Sequence, residues 1–321
     1  MMTVQGEIEY VKKSMAAGAR DYVVKPFSNE ELLGTVKKIY HQESRRRNAV
    51  EAKGLPKTAP QTVALFSTKG GVGKTTLAVN LAVALHQLSG KSVVLADLDL
   101  QFGDIAALLN LLPRQSIAQL VQEAGPLDGD LLQNYLISHI SSGISVLPAP
   151  LRPEYADLVT PQHIEQILKL LQQRFEYIIA DTSSYLNENV LATLDVANVI
   201  LMVVGLDLPT IKDAKLALEV LQSLGLKDKV RLVLNRASPD FGLRWEDVER
   251  TLEIPIMAQI PSAGKVVVSS INKGVPFMVT NPTSPVAESI DKLAHQLLHK
   301  GKASLEGRQS LLAGVFSLLG R

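Results

Sequence analysis

The residues with the clearest capacity for chemistry stand together. Ser67 to Thr76 reads STKGGVGKTT, between an apolar run and a segment with helical patterning. Gly70, Gly71 and Gly73 let the backbone turn tightly, so that the N–H groups of the loop, Val72 among them, converge on an anion. A helix starting near Lys74 and Thr76 adds the positive end of its dipole. In such a loop Lys74 reaches the β- and γ-phosphates of a nucleotide, and the Thr75 hydroxyl can ligate Mg²⁺. The common spacing G-x-x-x-x-G-K-[ST] is not fully met: Thr68 takes the first glycine's place, and Lys69 adds a second lysine. A glycine-rich turn with incidental lysines is the bland alternative, which the strand–loop–helix context opposes.

Further polar residues end apolar runs. The sequence Ala96-Asp97-Leu98-Asp99-Leu100-Gln101-Phe102-Gly103-Asp104 puts two carboxylates at a strand's end, where a metal ion and an attacking water would sit. Phe175 to Asp181, FEYIIAD, is an apolar strand followed by an acid suited to hold Mg²⁺ through water. Leu232 to Arg236, LVLNR, ends in an amide that offers an adenine edge both a donor and an acceptor. The alternatives are solvated strand-end acids and an ordinary turn.

These residues need a scaffold. Val63–Phe66, Ser92–Ala96, Tyr177–Ala180, Val199–Val204 and Val230–Leu234 are continuous runs rich in Val, Ile and Leu, as strands covered on both faces must be. Helical patterns intervene at Thr76–Leu88, His163–Gln173 and Ile211–Leu224. The expectation is an α/β domain over 61–300 with a doubly wound, mostly parallel sheet. Before it, Arg45-Arg46-Arg47, Gly54, Pro56 and Pro60 mark a linker over 46–60. Residues 1–45 read as strand and helix in alternation, with helices at Glu7–Ala17 and Asn29–Tyr40 and a strand at Asp21–Val24.

KGGVGKTT resembles the deviant Walker A motif of the MinD/ParA group of P-loop ATPases. The resemblance implies ATP and Mg²⁺ as ligands and an ATP-dependent homodimer in which Lys69 reaches the partner's phosphates. It further implies that Asp99 orients the hydrolytic water, that Asp97 stands behind Mg²⁺, and that Asp181 is the Walker B acid. Thr75, Asp97, Asp99 and Asp181 thus form the expected metal set, with Lys69, Lys74 and Asp99 catalytic. Asn235 and Arg236 match the group's base-contacting strand end, and Pro261, in Ile260-Pro261-Ser262, its loop over the base. Ser183 departs from the proline common in the group two residues after the Walker B aspartate.

DLDLQFGD with Ile105–Leu112, and SGISVLPAPLRPEYADLVT over Ser142–Thr160, look like the CpaE/TadZ branch, whose members act in assembly and placement of Tad-type (Flp) pili. Pilus-assembly or secretion proteins would then be the partners. Ala17 to Phe27, AGARDYVVKPF, resembles the end of a response-regulator receiver domain. The phosphoacceptor Asp would lie upstream of Met1, so residues 1–45 are expected to be half a receiver, from a truncated chain or packed on the ATPase or a second copy. The tail over 301–321 contains RQSLLAGVFSLLGR, whose Leu311, Leu312, Val315, Phe316, Leu318 and Leu319 gather on one helix side. MinD-like proteins end in such a helix, so the expected fates of this one are docking on a membrane surface, docking on a partner or its own domain, or a disordered end.

Composition narrows the rest. With no cysteine, disulfides, thiol catalysis and cysteine-bound zinc are excluded, and a reducing cytoplasm fits. The net charge of +1 hides a surplus at the ends: residues 61–300 hold 19 Lys/Arg against 24 Asp/Glu, which weighs against DNA as the partner. His163, His295 and His299 are too scattered for a metal site and read as solvated, and Trp245 reads as packing.

Overall fold

The computed structural model describes residues 2–3, 23–28, 59–237 and 243–298. The chain divides into two compact units, Met1–Lys57 and Thr58–Arg321. In the first, β1 (Met2–Thr3) pairs in parallel with β2 (Val23–Val24), Met2 opposite Val23. The helices expected at 7–17 and 29–40, nearly all of the linker, His299 and the amphipathic tail lie outside the described residues.

The second unit is built on one eight-stranded sheet. Its strands are β3 (Gln61–Phe66), β4 (Val93–Leu98), β5 (Ile137–His139), β6 (Ile144–Leu147), β7 (Tyr177–Thr182), β8 (Val199–Val204), β9 (Val230–Ala237) and β10 (Ile256–Pro261). The order across the sheet is β10-β9-β8-β3-β7-β4-β6-β5, parallel throughout except for the antiparallel β5–β6 edge. This is the doubly wound α/β architecture that the apolar runs imply.

Both faces are covered, which is why the strands read as unbroken apolar runs. On β3, Val63 and Leu65 enter one core and Ala64 and Phe66 the other. The Val63 side is closed by α1 (Lys74–Ser89), α2 (Ile105–Leu108), α10 (Phe277–Thr280) and α11 (285–298). The Phe66 side is closed by α3 (Ile117–Leu120), α5 (Pro161–Gln172), α6 (Glu188–Val196), α7 (Leu208–Ser223) and α8 (Trp245–Leu252). The short α4 (Gly129–Asn134) precedes β5, and α9 (Gly264–Lys273) follows β10.

The chain leaves β3 for α1 on one face and leaves β7 for α6 on the other. Neighbouring strands whose connections part to opposite faces leave a crevice at their carboxyl ends. The β3–β7 boundary is that place, with β4 beside it. Three strands were not legible in the sequence. β5 is only three residues long, β10 is half exposed along most of its length, and β6 is a four-residue run flanked by turns. His163 also departs from expectation: its Nδ1 accepts from the Thr160 amide in a capping box at the start of α5, so it is a half-buried cap. Trp245 is 41% exposed at the start of α8 instead of packed inside.

One buried polar side chain ties α1 to the last layer. Asn80 donates through Nδ2 to Thr76 O at 2.9 Å and accepts through Oδ1 from Met278 N at 3.1 Å. Asn80→Leu fills similar space but strands the buried Met278 amide. The expected cost is about 1–3 kcal/mol, read as a lower urea midpoint; an unchanged midpoint would show that the amide finds another acceptor.

Candidate functional site

The loop of residues 67–73 leaves the C-terminal end of β3 and feeds directly into α1. Gly71 (φ 74°) and Gly73 (φ 100°) adopt the left-handed conformation that side-chain-bearing residues resist. Gly73 is needed for a second reason: a Cβ there would strike the Asn235 amide. No side chain caps α1, so its first-turn N–H groups face the loop without an intramolecular acceptor. The uncapped first-turn donors and the helix dipole both favour an anion at this end of α1.

Lys74 and the strand-end carboxylates surround that point. Lys74 is only 7% exposed, and its Nζ donates to Ser184 Oγ at 2.7 Å. Burial lowers the pKa of its ammonium, against the opposing charges of Asp181 and Asp99. Asp97 on β4 and Asp181 on β7 are register partners, both 1% exposed. Asp97 Oδ2 accepts from the Ile105 amide at 3.0 Å, while its Oδ1 and both Asp181 oxygens have no hydrogen-bond partner. Burial, then the Asp181 charge, raises Asp97 well above the ordinary carboxylate range, with the Ile105 amide pulling back. Burial pushes Asp181 up to about 7, against the Thr75 hydroxyl and the Lys74 ammonium. The Thr75 hydroxyl approaches Asp181 without closing a hydrogen bond of ordinary geometry. Asp99 is held more loosely, its Oδ1 accepting from Phe102 N at 3.4 Å.

Orphaned acceptors are costly when buried, and a site built of them is incomplete without a cation. Among the described residues no three carboxylates or imidazoles gather to hold a metal alone. A divalent ion would therefore need the Thr75 hydroxyl and ligand oxygens, with Asp181 and Asp97 accepting from its waters. The donor set fits that arrangement.

The other expected contacts converge on a cavity of about 330 Å³. Gly73, Thr76, Asn235, Arg236 and Pro261 all line it, and α9, α10 and α11 close its apolar side. At the edge of this cavity Asn235 Nδ2 donates to Val72 O at 2.6 Å, which uses one of its two amide hydrogens. In this state its amide braces the loop. Lys69, Gly70, Gly71 and Val72 line a separate open cavity of about 430 Å³ with Asn235 and Arg236. Lys69 Nζ lies 3.7 Å from Asp213 Oδ2 on α7. Asp99 opens onto a third, acidic cleft of about 600 Å³ between the β4 end, residues 156–161 and residues 183–189.

Three participants escaped the sequence reading. Ser184 and Asp213 carry no motif and meet Lys74 and Lys69 only through the fold. Gly103 has negative φ but no room: a Cβ would sit 2.6 Å from Asp97 Cγ. The glycine in QFGD is a signal that could have flagged this close approach.

Residues 63–277 match the model of the CobQ/CobB/MinD/ParA nucleotide-binding domain. The chain is 29% identical over 246 residues to the septum site-determining protein MinD of Thermotoga maritima, covering 74% of this chain and 88% of that protein. Its fold is similar to that of a ParA family ATPase from Chlorobium tepidum (TM-score 0.69, 24% identity, 74% of this chain and 99% of that one). It is also similar to MinD from Pyrococcus horikoshii complexed with Mg-ADP (TM-score 0.66, 22% identity, 74% and 96%).

The raised Asp181 pKa has a stability consequence. The folded state keeps a proton that the unfolded chain has released above its ordinary pKa of about 3.9. Stability therefore falls as pH rises through the window from about 4 to about 7, by at most about 1.4 kcal/mol per pH unit from this group. Asp181→Asn removes the charge, so its urea midpoint should exceed that of wild type at pH 8 and approach it at pH 5. A difference independent of pH would assign the effect to packing.

Proposed function

The chain belongs to the CobQ/CobB/MinD/ParA nucleotide-binding domain family, and from that membership we propose that it is an ATPase switch of the MinD/ParA type. ATP with Mg²⁺ is the ligand, hydrolysis to ADP and phosphate is the reaction, and a homodimer is the ATP-bound form. The observation that carries this reading is the set of unpartnered buried oxygens on Asp97 and Asp181, facing Lys74 and Thr75 beneath a loop of converging amides. Such a set calls for a bound phosphate and cation together.

Each residue then has a chemical task. Gly70, Gly71, Val72 and Gly73 present backbone N–H groups to the phosphates, and Lys74 supplies a buried positive charge to them. Thr75 binds Mg²⁺ directly, with Thr76 on the same helical turn lining the base cavity. Asp181 and Asp97 accept from metal-bound water, and Asp99, half-exposed at the third cleft, orients the attacking water. Lys69 leaves Asp213 to neutralise phosphate charge across the dimer, where a fixed cation lowers the barrier. Asn235, Arg236 and Pro261 frame the base, with the apolar cavity wall excluding water from it.

The work this switch controls is, in our proposal, the placement or assembly of Tad/Flp-type pilus machinery, with pilus-assembly or secretion proteins as partners. Two sequence features support the CpaE/TadZ assignment: the Ser142–Thr160 stretch and the receiver-like AGARDYVVKPF. The first of these supplies Ala156, Asp157, Val159 and Thr160 to the cleft beside Asp99, so the branch-specific segment borders the proposed hydrolytic water. The second reading is a positioning ATPase acting at a membrane, division site or DNA, favoured by the likeness to the Thermotoga protein. Among the described residues no helix is long and apolar enough to cross a membrane; in this second reading the amphipathic tail supplies a peripheral membrane contact. Secretion-ATPase and pilin genes beside this one would support the pilus reading; a partition-site DNA-binding partner would support the other.

Lys74→Ala is expected to lose nucleotide binding by calorimetry. Asp99→Ala should keep ATP-dependent dimerisation by light scattering while turnover falls at least a hundredfold. Normal hydrolysis by Asp99→Ala would remove that residue from the water-positioning role.

A further inference from the structure

Lys74 is the one loop cation that is buried, and a buried ammonium needs acceptors. Asp181 and Asp99 act on it through space, but neither makes an ion pair with it; its direct partner is the Ser184 hydroxyl at 2.7 Å. That bond spans 110 positions of sequence and joins the phosphate loop to the segment that follows β7. The base of the segment is fixed separately: Thr182 Oγ1 donates to Leu65 O at 2.7 Å, deep in the core. Beyond Ser184 the segment's hydrogen bonds are local, from Ser183 Oγ to Tyr185 O at 3.1 Å and from Asn187 N to the same oxygen at 2.9 Å, while Leu186 rests against the core on the Phe66 side. Tyr185 is 76% exposed, and Ser183, Tyr185, Asn187 and Asn189 form one wall of the cleft that also holds Asp99.

We propose that Ser184 is a positioning residue that latches this wall to Lys74 in the nucleotide-free protein, and that phosphate displaces it. The inference rests on the nucleotide reading above. Its physical basis is competition for one ammonium. An anionic oxygen adds to the hydrogen bond an attraction of opposite charges that a neutral hydroxyl lacks, so the phosphate prevails. Ser184 then loses its only side-chain hydrogen bond among the described residues, and the turn from Ser183 to Tyr185 is released between the Thr182 anchor and the core contact of Leu186. Occupancy of the phosphate loop is thereby transmitted to the cleft beside Asp99. A proline at 183, as the resemblance leads one to expect, would remove the Ser183 hydroxyl that shapes this turn.

The test uses the full chain, with ADP and Mg²⁺ as the probe, so that no turnover is involved. Hydrogen exchange is followed over residues 183–187, and affinity is measured by calorimetry. In wild type, ADP should speed exchange in this segment. Ser184→Ala should exchange fast with or without ADP and bind ADP roughly tenfold more tightly, because nothing competes for Lys74. Ser184→Thr, which keeps the hydroxyl, should restore both wild-type behaviours; a merely structural role would not be rescued in affinity. Unchanged exchange and affinity in Ser184→Ala would overturn the latch, as would ADP slowing the segment equally in both proteins. If wild type binds no ADP, the nucleotide reading fails, yet the latch still requires faster exchange in ligand-free Ser184→Ala.

Discussion

Three ionisable side chains, Lys74, Asp97 and Asp181, are withdrawn from water at the carboxyl ends of β3, β4 and β7 with incomplete compensation inside the protein. Every other feature of the site answers to that constraint. A buried charge is tolerated only when partners or a ligand offset its lost hydration. Here the partners are sparse: one amide for Asp97, one hydroxyl for Lys74, and through-space attraction between opposite charges. The ligand-free protein holds the site with raised carboxylate pKa values and a lowered lysine pKa. A phosphate beside Lys74 and a divalent cation beside Asp97 and Asp181 would each oppose these shifts.

The sheet makes this juxtaposition possible. Parallel strands in register bring Asp97 opposite Asp181, and the divergence of connections at β3 and β7 leaves their ends open to solvent. The two cores on either side of the sheet hold those ends rigid, and Asn80 stitches α1 to the layer containing α10. The loops that border the site are fastened more lightly. Asn235 braces Val72, Asp213 faces Lys69, and Ser184 holds Lys74, each through a single interaction.

Much of this was legible beforehand. The five long apolar runs became β3, β4, β7, β8 and β9, and the helical patterns became α1, α5 and α7, each within a few residues. STKGGVGKTT announced its own geometry because a phosphate loop is local: its glycines, lysine and threonine lie within ten residues, and their spacing alone dictates where they point. The edge strands were hidden for the opposite reason. β5 and β10 are partly exposed, so their composition carries no strong period. The strand-end position of Asn235 was legible in LVLNR, but its bond to Val72 was invisible, since it spans 163 positions of sequence.

The sequence by itself determined the fold class, the anion-binding loop and the identity of the strand-end acids, because each depends on neighbours in the chain or on burial of a whole segment. Only the tertiary structure decided which of those acids are left without partners, which hydroxyl holds Lys74, and why Gly103 must lack a side chain. Those facts depend on distances between side chains from different strands, set by packing to within a fraction of an ångström. No spacing along the chain encodes that.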